Sequence, residues 1–216
     1  MENEEKIKSK PSIKILKIFL IIILTILILY VMISLYKFSI IISFKNKVSK
    51  LDNLNNYYVK TTYYDETDSK ISNKIEIEEF VYNNYWKKII YSNDDITTIY
   101  GNNDTKKSYS IYNNNTTSLD NDHINYNLSS YISAPIDTTN NFINLLVSFH
   151  PFYIVSKENG NYYFKYEDFT EIYDSNYGYA VERIANYENG KSKHISLYEV
   201  KIGVVKAEDV YKSEIE

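Results

Sequence analysis

The sequence predicts a mainly β (α+β) protein: an N-terminal transmembrane helix, then a curved, unclosed antiparallel β-barrel-like sheet with helices on its concave side. Three observations carry this reading. Residues 18–36 form nineteen consecutive positions without a charge, fourteen of them Leu, Ile, Phe or Val. From Tyr57 onward the apolar period drops toward two, the spacing of half-buried strands. Only five glycines and three prolines punctuate 216 residues, whereas 24 tyrosines, nine phenylalanines and abundant isoleucine favour strands.

The apolar run comes first. As a helix it spans roughly 28 Å, close to the hydrocarbon thickness of a bilayer. At a few tenths of a kcal/mol per apolar residue, its insertion is favourable by roughly 4–8 kcal/mol. It exceeds the length of a cleavable signal core, and no small-x-small site follows it. The chain has no cysteine to carry a lipid. The run therefore reads as a retained anchor, with Lys37 snorkelling at its end and the helix extending to about Phe44.

This divides the chain into a tail (residues 1–17), an anchor helix with its extension (residues 18–44) and a distal domain (residues 45–216). The tail holds five lysines against three glutamates, and the positive-inside rule leans toward a cytoplasmic N-terminus. From Lys45 on, 18 basic residues stand against 25 acidic, a net charge of −7, and this part reads as extracytoplasmic. The acidic balance removes nucleic acid from the expected partners. Lack of cysteine excludes a disulfide scaffold and thiolate metal sites.

Along the domain, residues 45–58 read as a helix, with Phe44, Val48, Leu51 and Tyr58 near one stripe. Val59, Thr61 and Tyr63 begin the strands. After a polar stretch (residues 65–73), Ile75, Ile77, Glu79 and Val81 alternate with a wetter face of Glu76, Glu78 and Phe80. Asn83 and Asn84 turn the chain into residues 85–91, with Trp86, Lys88 and Ile90 on one face. Residues 96–100 and 107–112 continue this meander, and residues 113–118 read as a loop. Residues 119–133 have no clear period.

Asp137 or Thr138 is placed to cap a helix carrying Phe142, Leu145, Leu146 and Phe149, which Pro151 stops. Asn159-Gly160 and Asn189-Gly190 are hairpin turns, since both residue types tolerate positive φ. They join residues 152–156 to 162–166 and residues 179–187 to 193–205, with residues 171–177 a strand between them. The last strand is long enough to bulge near Gly203. A sheet of nine or ten strands curls, and bending it around the two helices buries their apolar sides.

The order of elements resembles the bacterial lipoprotein carrier family: outer-membrane lipoprotein carriers, N-terminal domains of sigma-factor regulators and lipoproteins of spore-formers. One part of the likeness runs from Trp86-Lys87-Lys88-Ile89-Ile90-Tyr91 through Thr97-Thr98-Ile99-Tyr100-Gly101 to Ser108-Tyr109-Ser110-Ile111-Tyr112. The other runs from Glu171-Ile172-Tyr173 through Ala180-Val181-Glu182-Arg183-Ile184 and Glu188-Asn189-Gly190 to Glu208-Asp209-Val210. The resemblance rests on order and spacing over roughly residues 48–211. It implies an apolar cavity between sheet and helices for acyl chains or a lipidated partner. Trp86, Tyr100, Tyr109, Phe142, Leu145, Leu146 and Phe149 are the residues expected to line it, with plain core packing the other reading of each. The anchor departs from a travelling carrier, and Arg183 is the only arginine.

Catalytic chemistry finds little support. His123 lies near Asp120 and Asp122, which an ordinary solvated loop explains as well as a metal does. His150 sits at a helix end, and His194 in a strand. Glu76 and Glu78 share a strand face roughly 7 Å apart, without a cleft between them. No G-x-S-x-G, H-E-x-x-H or phosphate-binding glycine loop is present. The expectation is a non-enzymatic, cofactor-free binding domain. Its partners are the bilayer and a lipid or lipoprotein ligand; the other reading is a structural or regulatory module that contacts envelope proteins.

Overall fold

The computed structural model describes residues 13–92, 95–112, 115–120, 128, 136, 137, 139–187 and 192–215. Helix α1 (Ile13–Val48) runs 36 residues without a break. It is, among the described residues, the one helix long and apolar enough to cross a membrane by length and composition. A 3-10 turn (Leu51–Asn53) ends it, and β1 (Asn56–Thr67) starts at once. The helix expected over residues 45–58 therefore stops short: Tyr57 and Tyr58 already alternate inward and outward as strand residues.

Five antiparallel strands follow: β2 (Lys70–Tyr82), β3 (Tyr85–Ser92), β4 (Asp95–Asn102), β5 (Lys107–Tyr112) and β6 (Asn115–Asp120). Next come α2 (Asn141–Ser148), β7 (Ile154–Glu158), β8 (Asn161–Tyr166), β9 (Phe169–Asp174), β10 (Ala180–Asn186) and β11 (Ser192–Ile202). A short α3 (Ala207–Val210) and a 3-10 turn (Ser213–Ile215) close the described chain.

The eleven strands make one antiparallel sheet in the order β6-β5-β4-β3-β2-β1-β11-β10-β9-β8-β7, with β6 and β7 at its two edges. It is two meanders zipped together by the long pairing of β1 with β11, from Tyr57 opposite Ile202 to Thr67 opposite Ser192. The sheet is not closed.

Two stretches that the apolar period did not mark as strand belong to the sheet. The polar stretch over residues 65–73 is a hairpin, turned at Asp68 and Ser69 with φ of 49° and 63°. Its register shifts at Tyr63/Asp65, so the inward–outward period is interrupted there. Asn73 holds this irregularity by donating to Asp65 Oδ2 at 2.8 Å. The loop read over residues 113–118 includes most of β6, an edge strand of Asn, Thr and Ser that pairs only with β5. An edge strand need not carry the apolar alternation that sequence periodicity detects. The Asn159-Gly160 turn forms as expected, with φ of 49° and 77°. Asn189-Gly190 lies outside the described residues.

The core occupies one face of the sheet. Tyr30, Ser34, Lys37, Ile41, Phe44 and Val48 recur every three or four residues along α1, so they form one stripe. Ile41, Phe44 and Val48 are buried against Tyr153, Val155, Tyr162, Phe164, Tyr173 and Ala180 of the β7–β10 half. Phe44 meets the rings of Tyr162, Phe164 and Tyr173 at 5.3, 4.9 and 4.7 Å. A second cluster joins Leu51, Tyr57, Val59, Val81, Trp86 and Leu128. The C-terminal segment returns over the opposite face. There Asn102 Nδ2 and Thr105 Oγ1 donate to the Ile215 carbonyl, and Tyr211 meets Tyr85.

Candidate binding site

Helix α2 decides where the site lies. Its N-cap is Asn140, whose side chain accepts from the Phe142 amide at 2.9 Å. Asp137, the expected cap, instead accepts from the Thr139 and Asn140 amides and the Thr139 hydroxyl, folding the entry turn. These bonds hold the Asp137 carboxyl below its ordinary pKa. Thr138 lies outside the described residues. Asn144 is fully buried, accepting from the Asp137 amide at 2.9 Å and donating to the Asp137 carbonyl at 2.7 Å. Ser148, also buried, donates to the Leu145 carbonyl. With its polar residues satisfied inward, α2 leaves Phe142 and Leu146 exposed. Burial of its whole apolar side was the expectation, and these two residues contradict it.

The end of α2 is tied to α1. The Tyr30 hydroxyl donates to the Phe149 carbonyl, and Lys37 Nζ donates to the His150 carbonyl at 3.3 Å. At the start of α2, Lys45 Nζ donates to Asn141 Oδ1 at 2.7 Å. The two helices thus lie side by side in opposite directions.

Where α2 turns into β7, a cavity of about 450 Å³ opens beside Leu146, Val147, His150, Phe152, Tyr153, Tyr166 and Glu167. This is within the size range of small-ligand sites. Its wall is mainly apolar and aromatic: Tyr153 stacks toward Phe164 and meets Tyr166 edge-on. Glu167 stands at the β8–β9 turn with φ of 48°. The Tyr153 hydroxyl is buried and has no hydrogen-bond partner among the described residues. Burial raises the Tyr153 pKa far above the usual phenol value, so the group is a neutral donor. His150 and Glu167 are the polar residues on a largely greasy wall, an arrangement suited to an apolar chain with one polar end.

Of the seven residues expected to line a cavity, Leu146 lines this one. Phe142, Leu145 and Phe149 lie on or beside the same helix, and Phe149 packs edge-on to Tyr30. Trp86 is in the second core cluster, its ring over Gly101 and its Nε1 donating to Asn103 Oδ1. Tyr100 and Tyr109 stack on each other on the opposite face, with Lys87 and Lys212 near the Tyr100 ring. These three belong to β3–β5, across the sheet from β7 and β8. Sequence reasoning missed Val147, Phe152, Tyr153, Tyr166 and Glu167. The aromatic pair Phe152-Tyr153 directly after the helix-ending proline was the available signal.

A second polar feature crosses the core face. Glu79 is buried on β2, pairs with Lys88 at 3.2 Å, and keeps its Oε2 without a hydrogen-bond partner. Burial raises its pKa, partly countered by Lys88. Glu171 is buried on β9, 3.4 Å from Arg183 and bonded by the Tyr173 hydroxyl. Between them Tyr63 is pushed up to about 12, mainly by burial. Both carboxylates have a cation, so the belt reads as internal ion pairing. Among the described residues no group of three or more metal-ligating side chains occurs. His123 and Asp122 lie outside them.

No family model and no curated protein matches the chain. Among solved structures it is similar to a LolA superfamily protein from Nitrosomonas europaea, with 7% identity, 79% of this chain, 98% of that one and a TM-score of 0.33. It is also similar to a lipoprotein-sorting protein domain from Vibrio parahaemolyticus, with 7% identity, 77% of this chain, 94% of that one and a TM-score of 0.30. A third is a chain of the Pseudomonas aeruginosa MucA/MucB complex, with 13% identity, 80% of this chain, 61% of that one and a TM-score of 0.31. The first two names fall in the carrier family that the sequence resembles. At such scores the likeness says nothing about ligand or partner.

Proposed function

We propose that this chain is a single-pass, membrane-anchored extracytoplasmic domain that binds an acyl chain, of a lipid or a lipoprotein, at the α2–β7 corner. The cavity there supports the reading: its wall is mainly apolar and aromatic, and it lies at the end of α2 that Tyr30 and Lys37 of α1 hold. The domain binds and does not convert, since the cavity wall presents no nucleophile activated by a neighbouring base. The N-terminal tail is cytoplasmic in this reading.

The test is photo-crosslinking of the full chain, reconstituted in phosphatidylcholine/phosphatidylglycerol vesicles, with a diazirine-bearing fatty acid. Adducts are expected on peptides holding His150, Phe152 and Tyr153 or Tyr166 and Glu167. Leu146→Trp, an apolar change that fills the cavity from an exposed position, should reduce those adducts and leave adducts on α1 unchanged. Adducts confined to α1 would refute the cavity reading and favour a domain that contacts envelope proteins instead.

A further inference from the structure

The α2–β7 corner carries an apolar surface that none of the described residues covers. Phe152 is 77%, Phe142 64% and Leu146 57% exposed, while on the same helix Asn144 and Ser148 are fully buried. Ile154, at the start of β7, is exposed as well. The corner is therefore amphipathic with its greasy side outward.

Its position relative to the anchor says what covers it. The domain-facing stripe of α1 begins at Tyr30, inside the apolar run, and Tyr30 and Lys37 are the residues that hold Phe149 and His150. Tyr30 lies six residues before Tyr36, or about 9 Å of helix. On the other sides of those turns Met32, Ile33, Leu35 and Tyr36 are exposed. A bilayer that covers these residues also reaches the end of α2. Helix side chains lean toward their own N-terminus, so Tyr30 and Lys37 draw the α2 end toward the membrane centre. A depth of about 9 Å matches the roughly 5–10 Å typical of interfacial helices. Lys45, Lys47 and Lys50 follow farther out along the chain, where basic side chains meet lipid phosphates.

We infer that Leu146 and Phe152 form a second membrane contact, which seats the α2–β7 corner in the outer part of the bilayer beside α1. Leu146, His150 and Phe152 also line the cavity, so this seating places its mouth at the level of the lipid chains. The inference rests on α1 being an anchor, not on the cavity being occupied.

The chain has no cysteine, so single cysteines can be labelled without background. The experiment places an environment-sensitive nitrobenzoxadiazole probe at Phe152→Cys, Leu146→Cys or Ile71→Cys in the full chain. The chain is reconstituted in phosphatidylcholine/phosphatidylglycerol vesicles with or without doxyl-labelled lipid. Ile71 is exposed near the β1–β2 hairpin tip and serves as the solvent reference. Labels at Phe152 and Leu146 should be quenched by shallow doxyl groups about twofold or more beyond the Ile71 label, as expected for burial of roughly 5–10 Å. Quenching at either position no stronger than at Ile71 would overturn the inference. Alkaline extraction of the same vesicles separates the causes. A chain that washes off defeats the anchor reading, whereas a chain that stays with unquenched labels defeats only the second contact.

Discussion

Gly101 should be the least replaceable glycine in the sheet. It pairs directly with Trp86 across β3 and β4, and the indole lies over it. A Cβ built at Gly101 would sit 2.1 Å from Cζ2, 2.3 Å from Cε2 and 2.8 Å from Nε1 of that ring. These atoms belong to a rigid ring buried in the second core cluster and held by Asn103 at 3.1 Å, so the clash cannot be relieved by a flexible tip. Gly101→Ala must move the indole or part the strands. Overpacking costs about 1–3 kcal/mol, and losing the indole hydrogen bond adds about 1 kcal/mol. The sum, about 2–4 kcal/mol, lowers the melting temperature of a domain this size by roughly 4–16 °C.

Thermal unfolding of the full chain in detergent micelles, followed by far-ultraviolet circular dichroism, measures this. Trp86→Leu removes the ring that meets the new methyl. In that background Gly101→Ala should cost less than about 1 kcal/mol, giving a coupling of at least about 1 kcal/mol. An alanine variant within about 0.5 kcal/mol of the parent, or strictly additive costs in the double variant, would refute the reasoning.

The remaining expectations concern the core and its charges. Phe44→Ala, which empties a fully buried site between three rings, should cost about 3–5 kcal/mol and release amide protection in β8 and β9 by hydrogen exchange. A chain starting at Lys45 lacks Ile40, Ile41 and Phe44, so its β7–β10 half should exchange rapidly; native-like protection there would disprove the role of α1 as core. Arg183→Met leaves Glu171 buried beside Tyr173 without its cation and should cost about 2–4 kcal/mol, reduced because Arg183 is partly exposed; adding Glu171→Gln should recover at least half in denaturant unfolding. Burial raises the Glu79 pKa, so folding favours its protonated form. The stability it contributes is complete below the unfolded-state pKa and is lost as pH rises through the higher folded value. The melting temperature of the parent relative to Glu79→Gln should therefore fall as pH rises above the ordinary carboxylate range, and a constant difference would contradict the assignment.

Most strands were legible because each buries one face against α1 or the second cluster, leaving a period of two in the residues. Lys107–Tyr112 is read with its observed bounds, and the reading of residues 85–91 misses β3 by one residue. What escaped was structure without that burial. β6 is an edge strand of polar residues, and the β1–β2 hairpin loses its period at the irregularity near Asn73. The site was half legible for a related reason. The apolar residues of α2 were identified, but periodicity does not say which side of a helix faces the core. Asn144, buried by bonding both ways to the Asp137 backbone, leaves Phe142 and Leu146 outward, a tertiary outcome that no spacing rule contains.

The stripe on α1 also limits how the protein can work. Residues 13–48 form one helix that places Ile40, Ile41, Phe44 and Val48 in the core, so on the anchor reading no flexible tether separates membrane from domain. A linker would let the domain sweep outward, as a soluble carrier travels. Here Phe44 and Ile41 would have to leave their pockets before the sheet could tilt away from the helix, at a cost of several kcal/mol. The α2–β7 corner is fixed to the same helix by bonds from Tyr30 and Lys37. Under the proposed function, a ligand would therefore come to this cavity at the membrane surface, from the bilayer or from a protein embedded in it. Under that proposal the constraint favours a receiving or sensing role over transport.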